Sequence, residues 1–169
     1  KSSSDSSENL LERKDRGGSG ALRISDISFY NQKNNSIDET ISGSHLRIRF
    51  QVKKYKEVAY NKLVVVLNFM DYYDNFVLSF ISDEMGFDFS YLENSDFIDL
   101  SIPKLYLRAS DYKLRILLFE GSPEQNNFLD SLEDVARIKV SEGDLWEVGQ
   151  LNRKGANAVI PGTFKIVVS

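Results

Sequence analysis

The chain has 169 residues, a formal net charge of −4, one histidine and no cysteine. That length suits a single domain, and without cysteine it excludes disulfides, thiolate zinc sites and cysteine nucleophiles. An acidic balance with 21 Lys+Arg against 25 Asp+Glu lacks the basic footprint of a general nucleic-acid binder.

In chain order, KSSSDSSENLLERKDRGGSG (1–20) is rich in Ser, Gly and charge. Such a stretch buries too little apolar surface to offset its ordering entropy, so it is expected to be a linker or tail. It has no apolar signal-peptide core, and it opens on Lys1, as a piece of a longer protein would. From Ala21 the hydrophobic period is close to two. ALRISDISFY (21–30) changes phase between Ile24 and Ile27, which predicts a bulged first strand. HLRIRFQV (45–52) points Leu46, Ile48, Phe50 and Val52 to one side and Arg47, Arg49 and Gln51 to the other, the mark of a half-buried strand.

KLVVVLNFM (62–70) is apolar on both faces, which predicts a central strand covered on both sides. The polar turn 71–75 then leads into NFVLSFI (75–81), making a hairpin. Residues 82–95 form the longest irregular stretch of the body. Strands are expected at DFIDLSI (96–102), DYKLRILLF (111–119), DVARIKV (134–140) and TFKIVV (163–168). The segment 141–159 between the last two is polar and holds three glycines. A final strand on such a linker can pair at home or with a twin chain. Strands recurring without amphipathic helices between them predict an all-β antiparallel sandwich of residues 21–169. The longest apolar runs, 63–67 and 116–119, are far shorter than the roughly 20 residues of a membrane-spanning helix.

Charge is uneven. Between Leu63 and Pro103 there is no Lys or Arg, whereas basic residues gather at 45–62 and 104–115. If those basic strands pair, one sheet carries a basic face; the alternative is ordinary solvated strand surface. Enzyme signatures are missing: there is no GxxxxGK loop and no GxSxG elbow. His45, beside Ser44 at a strand entrance, reads as a surface histidine rather than a catalytic base. No catalytic residue, metal or cofactor is expected. Among eleven Phe, eight Tyr and one Trp, Phe50, Phe69 and Phe119 sit at core positions. Tyr72, Tyr73, Tyr91, Tyr106 and Trp146 lie in turns or near strand ends, where such rings stack on sugars or anchor loops.

Several stretches, taken together and in order, are similar to one family. These are GGSGALRISDISFY (17–30), ISGSHLRIRFQV (41–52), the hairpin MDYYDNFVLSF (70–80), IPKLYLRASDYKLRILLFE (102–120) and DVARIKV (134–140). They resemble the C-terminal carbohydrate-binding domain of the ATPase subunit of O-antigen polysaccharide ABC transporters (Wzt-type). Three departures stand out: Asn75 replaces a turn glycine, Ala109-Ser110-Asp111 replaces a Pro-Gly step, and 155–168 ends without the family's usual tryptophan. The resemblance implies an immunoglobulin-like β-sandwich that forms homodimers, in some members by exchanging a C-terminal strand. It also implies a partner O-polysaccharide, often end-modified, and a place at the inner face of the bacterial inner membrane. The contact with the transporter's membrane subunit would run through an ATPase domain upstream of the linker.

If strands 62–70, 111–119 and 134–140 share a sheet, Lys113, Arg115, Arg137 and Lys139 flank Asn68 on its outer face. Tyr72, Tyr73 and Trp146 then supply rings from the rims. A cationic cleft of that kind suits an acidic sugar or a phosphate. Two other readings stay open on the residues alone: a structural or protein-interaction sandwich such as an adhesin module, and a glycan-processing enzyme using two acids from 83–99.

Overall fold

The computed structural model describes residues 9–167. Two sheets pack face to face. The first runs β1 (Arg16–Gly17), β10 (Phe128–Ser141), β9 (Ser110–Glu120), β6 (Leu63–Met70), β7 (Phe76–Ile81), with β4 (Glu39–Ile41) also on β10. The second runs β3 (Ser36–Ile37), β2 (Leu22–Tyr30), β5 (Leu46–Lys54), β8 (Phe97–Ile102). All pairings are antiparallel except β4 on β10. The described residues contain 3-10 turns but no α-helix, and none of their helices is long and apolar enough to cross a membrane. The expected all-β sandwich is the fold.

Alternation sets each strand. On β5, Leu46, Ile48, Phe50 and Val52 all face the core; on β9 the same holds for Tyr112, Leu114, Ile116 and Leu118. Tyr112 is fully buried, and its hydroxyl donates to the Arg108 carbonyl at 2.6 Å. This side-chain-to-backbone tie four residues back is of the kind that staples immunoglobulin-like sandwiches. The expected bulge in β2 is present, as a register shift between Ile24 and Asp26. Strand β6 is buried along its whole length. Its inner side chains join the main core, and on the outer side Val64 and Val66 form a second cluster with Phe119, under Ile81, Leu117 and Phe128. The outer apolar face of β6 is thus covered by the chain's own neighbours.

Three expectations need correction. First, residues 9–20 are not a loose tail. Leu10 is buried, β1 pairs with β10, and Arg16 reaches Asp130 through two hydrogen bonds of 3.0 and 2.6 Å. Asp130 also accepts the Ile24 N–H, and Arg16 also donates to the Leu10 and Ile24 carbonyls. Sequence composition missed this because a buried ion pair, one leucine and a two-residue strand do the anchoring, not an apolar run. Residues 1–8 of the expected tail lie outside the described residues.

Second, 141–159 is not a free linker. Asn152 is buried; it donates to Ser42 Oγ and accepts from the Gly143 N–H. A Cβ at Gly143 would lie 2.2 Å from the Ser42 carbonyl oxygen, so only glycine allows this close approach. Farther on, Val159 N–H donates to the Tyr106 carbonyl.

Third, 163–167 forms no strand here. Phe164, Ile166 and Val167 are exposed, because no neighbouring edge pairs with the segment. Val168 lies outside the described residues.

Candidate functional site

The condition attached to the candidate site is met, since β6, β9 and β10 are neighbours in one sheet. Their register aligns Asn68 with Arg115, and Lys113 with Arg137. Lys139 stands opposite Asp111 on the following outward position. The strands of the basic stretches 45–62 and 104–115, however, do not share a sheet, since β5 belongs to one and β9 to the other. The expected single basic face is therefore divided. The one acid of β8 explains the half on β5: Asp99 takes both Arg49 and Arg47.

On the outer face of the first sheet, Asn68 is buried between β7 and β9, and its Oδ1 accepts from Ser79 Oγ at 2.6 Å. Arg115 Nε lies 2.6 Å from Glu133 Oε1, a charge contact rather than an aligned hydrogen bond, and the guanidinium stands 5.6 Å from the exposed Phe76 ring. Lys113 Nζ pairs with Asp74 of the β6–β7 turn. Arg137 takes both carboxylate oxygens of Asp134, at 2.9 and 2.5 Å.

The turn is built by Asp71. Its carboxylate accepts the Tyr73 and Asn75 N–H groups and the Asn75 side chain. Those hydrogen bonds, the Asn75 side chain first, hold its carboxyl below the usual range. Asp74 completes the turn at φ 64°. The result props Tyr72 and Tyr73 outward at 78% and 81% exposure, packed edge to face. On the opposite flank β10 carries a bulge between Leu132 and Ala136, with Asp134 at φ 44°. Arg137 holds the Asp134 carboxyl low. Arg13, from the entering segment, donates to the carbonyls of Glu133 and Asp134 and so braces this bulge from behind.

Six of the eight expected residues thus come together: Asn68, Tyr72, Tyr73, Lys113, Arg115 and Arg137. Lys139 lies beyond them, in a shallow pocket with Ser110, Asp111 and Lys154. Trp146 is elsewhere, lining a cleft with Arg108, Arg153 and Phe164. The sequence reading missed Phe76, Ser79, Asp74, Glu133, Asp134 and Arg13. Ser79 could have been found from the hairpin register, whereas Glu133 and Asp134 depend on a bulge that periodicity does not reveal. His45 Nε2 faces Ser101 Oγ at 3.1 Å, and its Nδ1 has no hydrogen-bond partner to orient it as a triad acid would. Among the described residues no three His, Cys, Asp or Glu gather into a metal site. The 210 Å³ cavity between the sheets, lined by Phe50, Leu67, Phe80 and Phe89, is mainly apolar and offers little to a hydroxyl-rich ligand.

A protein-family model described as the Wzt C-terminal domain matches residues 13–152. Among solved structures, the crystal structure of the C-terminal domain of wzt is similar over 92% of this chain and 90% of that one. The TM-score is 0.64 at 14% sequence identity, a likeness of fold alone. No curated protein matches the sequence.

Proposed function

This chain belongs to the Wzt C-terminal domain family, and we propose that it is a non-catalytic module that binds an O-polysaccharide for export by an ABC transporter. The family itself is an appendage of the O-antigen transporter ATPase, and no catalytic motif is present in this chain. In the proposed reading, the outer face of the first sheet holds the glycan. One observation carries the assignment: exposed rings stand beside polar groups that both donate and accept. Tyr72, Tyr73 and Phe76 give flat apolar surface, while Asn68, Ser79 and the paired charges give hydrogen-bonding atoms. Sugars present the same two chemistries, C–H faces and hydroxyl edges.

The test is binding of the chain to purified O-polysaccharide from its source, beside the same polymer stripped of its non-reducing terminal modification. Binding to the intact polymer alone makes the module a reader of finished chains. Equal binding to both means that an internal repeat is read. Binding to neither overturns the proposal.

A homodimer is part of the reading. Phe164 and Ile166 alternate with Lys165 and are fully or nearly fully exposed, while β7 and β8 are open sheet edges. Pairing of 160–167 with a second copy buries those side chains. Sedimentation of the chain and of a version ending at Val159 checks it, with dimer and monomer expected. A transporter-bound location at the inner membrane surface follows from the same family role.

A further inference from the structure

Each cation among the six residues brought together already has a carboxylate partner, and that limits what the cluster can bind. Lys113 is paired with Asp74, Arg115 with Glu133 and Arg137 with Asp134. Asp71 stands close enough to Lys113 to feel its charge. Three cations therefore meet four acids, and no positive field remains to draw an anion.

In two of the three pairs the order of exposure points the same way; in the third, Arg137 is 69% exposed and Asp134 39%. The Asp74 side chain is 70% exposed over a Lys113 that is 21% exposed. Glu133 is 58% exposed over an Arg115 at 27%. In both pairs an approaching ligand meets the carboxylate before the cation. An acidic sugar or a phosphate would suffer repulsion from these acids, or would have to displace them and leave them without their partners. A hydroxyl faces no such conflict: it donates to a carboxylate oxygen with lone pairs to spare and accepts from an unused guanidinium or ammonium N–H. Arg–carboxylate pairs beside exposed rings thus suit neighbouring hydroxyls on an uncharged pyranose.

We infer that this face takes an uncharged stretch of glycan, not the acidic or phosphorylated terminus that the sequence alone favours. The inference rests on the glycan-binding reading of the face. Calorimetry of the 169-residue chain tests it with neutral hexose and deoxyhexose oligosaccharides, beside the same backbones carrying a uronic acid or a phosphate monoester. The expected result is binding of neutral probes only. Their affinity should change by less than about twofold between about 0.05 M and about 0.5 M NaCl, since no net charge is neutralised. Asp134→Asn with Glu133→Gln should weaken neutral binding about tenfold by turning two charged acceptors into neutral amides, and should admit the acidic probes.

Binding of acidic probes alone, falling steeply with salt, would overturn the inference and leave the glycan module standing. Failure of all the probes, together with failure of the purified O-polysaccharide, would overturn the module and the inference together. The salt dependence is read on the unaltered chain, so it stands even if the double variant unfolds.

Discussion

The outer faces of the two sheets are built from the same residue types and differ in what they leave available. On the second sheet, Arg49 holds Asp99 at 2.7 and 2.8 Å, and Arg47 and Arg49 lie over the Tyr30 ring at 4.6 and 5.8 Å. The cations, the acid and the ring on that face meet one another along the ladder of β2, β5 and β8 beyond the β2 bulge. On the first sheet the ion pairs are similar, but Tyr72 and Tyr73 rise from a tight turn and pack edge to face on each other. Arginine, aspartate and tyrosine on a strand face therefore do not make a binding site. A turn or a bulge that lifts rings and acceptors off the ladder is what separates the two faces.

The largest effect expected bears on what holds the first face in place. Asp130→Ala strips a buried arginine of its partner and the Ile24 N–H of its acceptor. Breaking such a pair costs about 3–5 kcal/mol, so chemical denaturation should show a deep loss of stability. A loss near zero would mean that the entering segment is not a structural part of the domain.

Next, Lys113→Ala with Arg115→Ala should weaken glycan binding about tenfold or more, while Arg47→Ala with Arg49→Ala leaves it unchanged; each removed charged donor is worth about 1.5–3 kcal/mol. Equal losses from both double variants would erase the distinction between the faces. Smaller again, Tyr72→Ala and Tyr73→Ala should each lower affinity several-fold, on the order of 1 kcal/mol per ring, with thermal stability unchanged because both rings are exposed.

The remaining effects are those of pH on stability. Arg49 holds the Asp99 carboxyl below 3.8, and Arg137 does the same for Asp134. A lowered folded value means a contribution present above pH 3.8 and lost as pH falls through it toward the lower folded value. Asp99→Asn should flatten part of that acid limb. At the other end, burial pushes the Tyr112 hydroxyl from 10.0 up to about 12. Its contribution is complete below pH 10 and fades as pH rises toward 12. Tyr112→Phe should remove that alkaline slope in pH-dependent melts while losing the hydrogen bond to Arg108.

Much of the sandwich was legible, because a half-buried strand writes its inward face into the sequence at every second residue. That is why β2, β5, β6, β7, β8 and β9 were readable, along with the bulge near Ile24 and the 71–75 turn. What periodicity does not encode is which strands pair and which charges then meet. Arg47 and Arg115 look alike in sequence, yet the register gives one to Asp99 of β8 and the other to Glu133 beside a bulge. Arg16 and Asn152 were illegible for a related reason. Each is a single polar side chain that secures a glycine- or serine-rich stretch, and composition averages such residues away. The end of the chain shows the reverse case: 163–167 has a strand's pattern but finds no edge within its own domain.

The most direct test is an NMR titration of the isotope-labelled chain with its purified O-polysaccharide. Shifts should gather on Asn68, Tyr72, Tyr73, Phe76, Lys113 and Arg115, with Tyr30, Arg47 and Arg49 unmoved. Shifts centred on the second sheet, or on Trp146 and its cleft, would contradict this placement of the glycan.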